Sequence, residues 1–158
     1  MGEKTQHIIC AVRGSPQSQK TVTRAIELAL EASARLTFFY AVDVEFQAQA
    51  AIGSPLSIVY RELIELSEFT MVILCDRARR RGVEQVDYLI REGNVPKQLM
   101  QLAAETEADV LVLGWPMRGS PPPTFKPERF DRFVAELERT GKPRLVLVPP
   151  ADDMENAL

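Results

Sequence analysis

Catalysis, metal binding and phosphate binding each need particular residues at particular spacings, and this chain offers them unequally. Its one histidine, His7, opens an apolar run and lies far from any loop that follows a strand. A general base must reach a substrate proton, and this histidine stands at the start of its strand, at the edge opposite such loops. Ser15 and Ser120 are the nucleophile candidates in loops, and neither sits in a G-x-S-x-G elbow. Metal sites need several His, Cys or carboxylate groups at matched intervals, and no such pattern occurs. Phosphate binding fits better. A helix N-terminus presents unpaired N–H groups and the positive end of the helix dipole. Arg13 and Gly14 stand just before such a start. Gly114 and Arg118-Gly119-Ser120 form a second candidate, although neither G-x-x-x-x-G-K-[ST] nor G-x-G-x-x-G is present.

The elements that would position these residues alternate regularly. "HIICAV" from His7 is a continuous apolar run, the mark of a strand buried on both faces. Ser15 and Pro16 read as an N-cap and first helical position, and Val22, Ala25, Ile26 and Ala29 then recur at helical spacing to about Ala34. "RLTFFYAVDV" gives a second strand, Leu36 to Val44. After a Gly-Ser-Pro break a long helix is expected to Arg81, with Gly82 as its stop. Phe69 to Cys75 also has the composition of a strand. Arg77, Arg79, Arg80 and Arg81 suit the negative end of that helix. A third strand is expected over Val83 to Ile90. A helix carrying Leu99, Leu102, Ala103 and Thr106 follows, then a fourth strand after Asp109. The last helix carries Phe130, Phe133, Val134 and Leu137, and "RLVLV" is the fifth strand.

Helices between apolar strands imply a single-domain three-layer α/β/α sandwich around a five-stranded parallel sheet. Ligands in such sheets bind beyond the carboxyl ends of the strands, where the strand order reverses. The candidate ligand-binding residues are therefore Arg13, Gly14, Asp43, Gly114, Arg118, Gly119 and Ser120. A chain of 158 residues suits one domain, here residues 1–150, followed by an acidic tail at 151–158. The net charge of -3 argues against nucleic acid as a partner. No stretch is long and apolar enough for a membrane helix, and MGEKTQH lacks the features of a signal peptide or a myristoylation site. Cys10 and Cys75 lie in separate apolar runs without a C-x-x-C, which suggests free buried thiols and a cytoplasmic protein.

Three stretches in order, "HIICAVRGSPQSQKTVTRAIELA", "YLIREGNVPKQLMQLAAETEADVLVLG" and "KPRLVLVPP", resemble the universal stress protein family, a branch of the adenine nucleotide alpha hydrolase-like superfamily. The resemblance implies strand order 3-2-1-4-5 and a homodimer formed near the fifth strand, Arg144 to Val148. An apolar edge strand of that kind also invites pairing on physical grounds. Some members bind ATP through G-2x-G-9x-G-[ST] after the fourth strand. Here only Gly114 matches. Met117 replaces the second glycine, and Pro127 and Glu128 replace the final pair. Arg13 stands where many members carry an acid. The nucleotide alpha hydrolases with an "SGGxDS"-type loop are a more distant resemblance, since "RGSPQS" lacks the paired glycines and the acid. The resulting expectation is a non-enzymatic stress-response or regulatory module with no cofactor and with ATP disfavoured. The alternative is a nucleotide or other anionic small molecule held at the switch point by Arg13 and the Gly114–Ser120 loop.

Overall fold

Five parallel strands form one sheet in the order β3-β2-β1-β4-β5. They are β1 (His7–Ala11), β2 (Arg35–Val42), β3 (Val86–Glu92), β4 (Val110–Gly114) and β5 (Arg144–Val148). Among the described residues four helices alternate with them: α1 (Ser18–Ala32), α2 (Leu56–Arg81), α3 (Val95–Thr106) and α4 (Pro127–Thr140). This computed structural model describes residues 6–12, 18–42, 56–92, 95–114, 127–141 and 143–148. The expected fold class and strand order are both observed. The Ser15–Pro16 cap lies outside the described residues, as does the tail at 151–158.

The period of two along the strands sorts side chains into two cores. Ile8, Cys10, Leu36, Phe38, Val110 and Val112 meet Val22, Ala25, Ile26 and Ala29 of α1 and Met71, Cys75 and Ala78 of α2. Ile9, Phe39, Leu111 and Leu113 face the other way, onto Leu99 and Leu102 of α3 and Phe133 and Leu137 of α4. The central strands are thus buried on both faces, which is why they read as unbroken apolar runs. Phe69–Cys75 is helical. Met71, Cys75 and Ala78 supply the buried stripe at helical spacing, while Phe69, Val72 and Ile73 point away from it.

All four helices end on a residue with positive φ: Ser33, Gly82, Glu107 and Gly141. After α1, Ala34 N–H donates to Ala29 O and Ser33 N–H to Leu30 O. After α2, Val83 N–H donates to Ala78 O and Gly82 N–H to Arg79 O. Both pairs are Schellman closures. They correct two expected boundaries. The first helix stops at Ala32, not Ala34. Val83 is the buried residue that seals the end of α2, and β3 begins only at Val86. The expected end of the second strand, Asp43 and Val44, lies outside the described residues. The arginines at the end of α2 are partly committed: Arg77 donates to Thr23 Oγ1 at 2.7 Å, Arg79 to Val86 O at 3.3 Å, and Arg80 pairs with Asp76 at 2.9 Å.

Candidate functional site

The general rule for open parallel sheets expects a ligand where the strand order reverses. From β1 the chain crosses to β2 on one side, and from β3 it returns to β4 on the other, so the order reverses between β1 and β4. These two strands pair directly, Ile8 with Val110 through Cys10 with Val112, and both run toward the same edge. β1 ends at Ala11 and β4 at Gly114. Of the seven residues expected to bind a ligand, the structure describes Gly114 at this edge. Arg13, Gly14, Asp43, Arg118, Gly119 and Ser120 lie outside the described residues.

Gly114 has a local reason to be glycine. A Cβ built there would approach Thr21 Oγ1 of α1 to 3.0 Å. Thr21 is buried, and its carbonyl accepts a weak bond from Cys10 Sγ at 3.9 Å. The end of β4 therefore packs close under the first turns of α1. Burial drives the Cys10 thiol well above its ordinary pKa, so it stays protonated and unreactive. Both cysteines are free and buried, as expected. α4 begins at Pro127, so the two residues that replace the family's Gly-[ST] pair are the first two of that helix.

The opposite edge is where the described side chains make a polar cluster. His7, Thr37 and Asp87 project from one face of β1, β2 and β3. His7 Nε2 lies 2.7 Å from Thr37 Oγ1, whose hydroxyl is 2.6 Å from Asp87 Oδ1. Thr37 has one hydrogen and gives it to the carboxylate, so it accepts from an Nε2–H of His7. Arg35 completes the chain by pairing with Asp87. Beside it, Asp109 Oδ2 accepts the backbone N–H groups of Gln6 at 2.8 Å and His7 at 2.9 Å.

Burial lowers the pKa of His7, and the Arg35 charge adds to this. The Thr106 carbonyl and the carboxylates of Asp87 and Asp109 pull the other way without prevailing. Burial by itself would raise Asp87, but bonds from Thr37 and Arg35 together hold its pKa below the ordinary value. A cleft of about 730 Å³ opens at this edge between the ends of α3 and α4, beside His7, Ala103, Thr106, Leu137 and Pro143. Two of its polar lining groups, His7 and Asp109, are already engaged in the bonds above. No group of three or more metal-ligating side chains occurs among the described residues.

His7 was expected at the edge away from the ligand site, and it is there. Its link to Thr37 and Asp87 was not foreseen. The available hints were a threonine amid the aromatic residues of "RLTFFY" and an aspartate inside β3. Thr21 gave no comparable signal, because a threonine in a helix carries no mark of what it touches.

The universal stress protein family model matches residues 4–122. The chain belongs to this family. Solved structures share the fold throughout. A universal stress protein family member from Burkholderia pseudomallei is 24% identical with a TM-score of 0.69, covering 96% of this chain and 100% of its own. Universal stress protein UspA from Lactobacillus plantarum is 17% identical with a TM-score of 0.70, covering 93% and 99%. A universal stress protein in complex with cAMP is 22% identical with a TM-score of 0.59, covering 94% and 100%. No curated protein matches the chain. No helix among the described residues is long and apolar enough to cross a membrane.

Proposed function

We propose that this chain is a non-enzymatic stress-response or regulatory module of the cytoplasm that does not take ATP in the family's usual pose. One observation carries the reading. The nucleotide signature G-2x-G-9x-G-[ST] keeps Gly114 but has Met117, Pro127 and Glu128 at its remaining positions. Proline supplies no N–H, and a carboxylate in the first turn of α4 repels phosphate at a helix end that would otherwise attract it. A homodimer joined along β5 belongs to the same proposal, since β5 is a sheet edge.

A second reading has its own support. A structure of the same fold is a complex with cAMP. In this reading Arg13 and the Gly114–Ser120 loop hold a nucleotide or another anionic small molecule at the switch point. Thermal unfolding separates the two. A ligand at a hundred times its Kd stabilises the native state by about 2.7 kcal/mol, or roughly 5 to 10 °C in a domain of this size. Millimolar Mg-ATP is expected to shift the melting temperature no more than salt of equal ionic strength. A shift of several degrees with ATP or cAMP, lost in Arg13→Ala or Arg118→Ala, would establish the second reading instead.

A further inference from the structure

α2 is apolar on two sides. Met71, Cys75 and Ala78 face the core, yet Leu66, Phe69, Val72 and Ile73 are 62%, 64%, 51% and 50% exposed. Four large apolar side chains in two turns, open to solvent, form a contiguous patch of the kind that marks an interaction surface. The order of residues along the stripe says what would cover it. Glu62, Leu66, Phe69, Ile73, Asp76 and Arg80 are spaced 4-3-4-3-4, the a/d seam of a coiled coil. At 100° per residue, Glu62, Leu66, Phe69, Ile73 and Arg80 fall within an arc of about 60°. Glu62, Asp76 and Arg80 are exposed. The stripe thus carries an acid at its start, apolar residues in its middle and a cation at its end.

That sequence is complementary to itself when reversed. If a second α2 lies antiparallel about a two-fold axis near Met71, the a and d layers pair Phe69 with Ile73 twice at the centre. Glu62 then faces Arg80 of the second copy at both ends. Leu66 comes level with Asp76, whose carboxylate is held by Arg80 of its own helix at 2.9 Å. The two helix dipoles also oppose each other, which favours the arrangement. A parallel pairing would instead set Glu62 against Glu62 and Arg80 against Arg80.

We propose that the exposed face of α2 is an isologous docking surface for a second copy of this chain, paired antiparallel through Leu66, Phe69 and Ile73 and clamped by Glu62 and Arg80. α2 covers β3 and β2 and so lies toward the end of the sheet away from β5. This contact is therefore separate from pairing along β5.

Charge exchange tests it on the intact chain. Both positions are exposed and far apart on the helix, so neither substitution disturbs the core. Glu62→Arg alone places Arg against Arg twice, and Arg80→Glu alone places Glu against Glu twice. Each is expected to weaken association through this surface by at least about tenfold, because like charges are brought together. An equimolar mixture of the two variants restores both pairs and should form a mixed assembly of wild-type mass by sedimentation velocity. Phe69→Lys should abolish association through α2 in every background. The proposal is overturned if the mixture sediments as the two variants do alone. It is equally overturned if Phe69→Lys leaves the wild-type mass unchanged, including the case where that variant merely melts earlier, which would mean that the stripe is covered within one chain.

Discussion

The two edges of the sheet use their polar groups differently. At the amino edge the strand starts are tied to one another. The Asp109 carboxylate holds the N–H groups of Gln6 and His7, and Arg35 N–H donates to Gln6 O at 2.9 Å. Arg144 N–H donates to Asp109 O at 2.9 Å, and the His7–Thr37–Asp87–Arg35 chain crosses three strands. At the carboxyl edge, where the strand order reverses, the described side-chain contact is steric, Gly114 against Thr21. A buried polar group satisfied by a neighbour specifies register but has little left to offer a ligand. The first edge therefore holds the strands in place, and the second is left to carry the residues that follow them.

Substitutions can break this division of labour, beginning at the amino edge, where the largest loss is expected. Thr37→Val keeps the shape but removes the hydroxyl that links His7 to Asp87. Leaving the buried His7 without its partner costs up to about 3 kcal/mol, or a melting temperature lower by as much as roughly 6 to 12 °C, while the half-exposed Asp87 keeps Arg35. Thr37→Ser should recover part of this. An unchanged melting temperature in Thr37→Val would show that the cluster does not hold the edge.

Gly114→Val tests the other edge and should cost about 1–3 kcal/mol by overpacking against Thr21. The loss should shrink in a Thr21→Ala background, and strict additivity in the double-mutant cycle would refute the contact. For the same reason Gly114→Val is a poor probe of nucleotide binding, since it alters packing as well as the loop.

Acid should act on the amino edge in two stages. The pKa of His7 is lowered from 6.5 in the fold, so the unfolded chain binds the proton more readily and stability falls as pH drops below about 6.5. Asp87 is also lowered, from 3.8, and its contribution is lost as pH falls below that value and through the folded one. His7 is the only histidine, so His7→Gln should flatten the dependence of melting temperature between pH 7.5 and 5. An equally steep profile in that variant would assign the loss elsewhere.

The smallest effect is a gain. Glu107 is a non-glycine residue at φ 52 that closes α3, with Ala108 N–H bonded to Ala103 O. Glu107→Gly should relieve about 1 kcal/mol of left-handed strain and raise the melting temperature by roughly 2 to 4 °C.

Residue order alone determined the succession of strands and helices, because burial imposes a period of two or of 3.6 on any chain that must hide one face or both. Gly82 and Gly141 announced two helix ends for the same local reason. Ser33 and Glu107 did not, since their backbone was bent by what the next strand required rather than by their own preference. The strand order was legible through resemblance to a family. Spacing could not supply it, because pairing joins residues distant in sequence. The partnerships of His7 with Thr37 and of Thr37 with Asp87, 30 and 50 residues apart, exist only once parallel register sets them side by side. Leu147 shows the same limit. Its place in an edge strand does not say whether it meets a partner, and in the fold the side chain packs onto the core beneath α3 and α4, so a lysine there would strike the fold first. An apolar residue in a strand must face one side of the sheet or the other. Which side it faces, and what waits there, was decided by the tertiary structure, through the register that non-local hydrogen bonds impose.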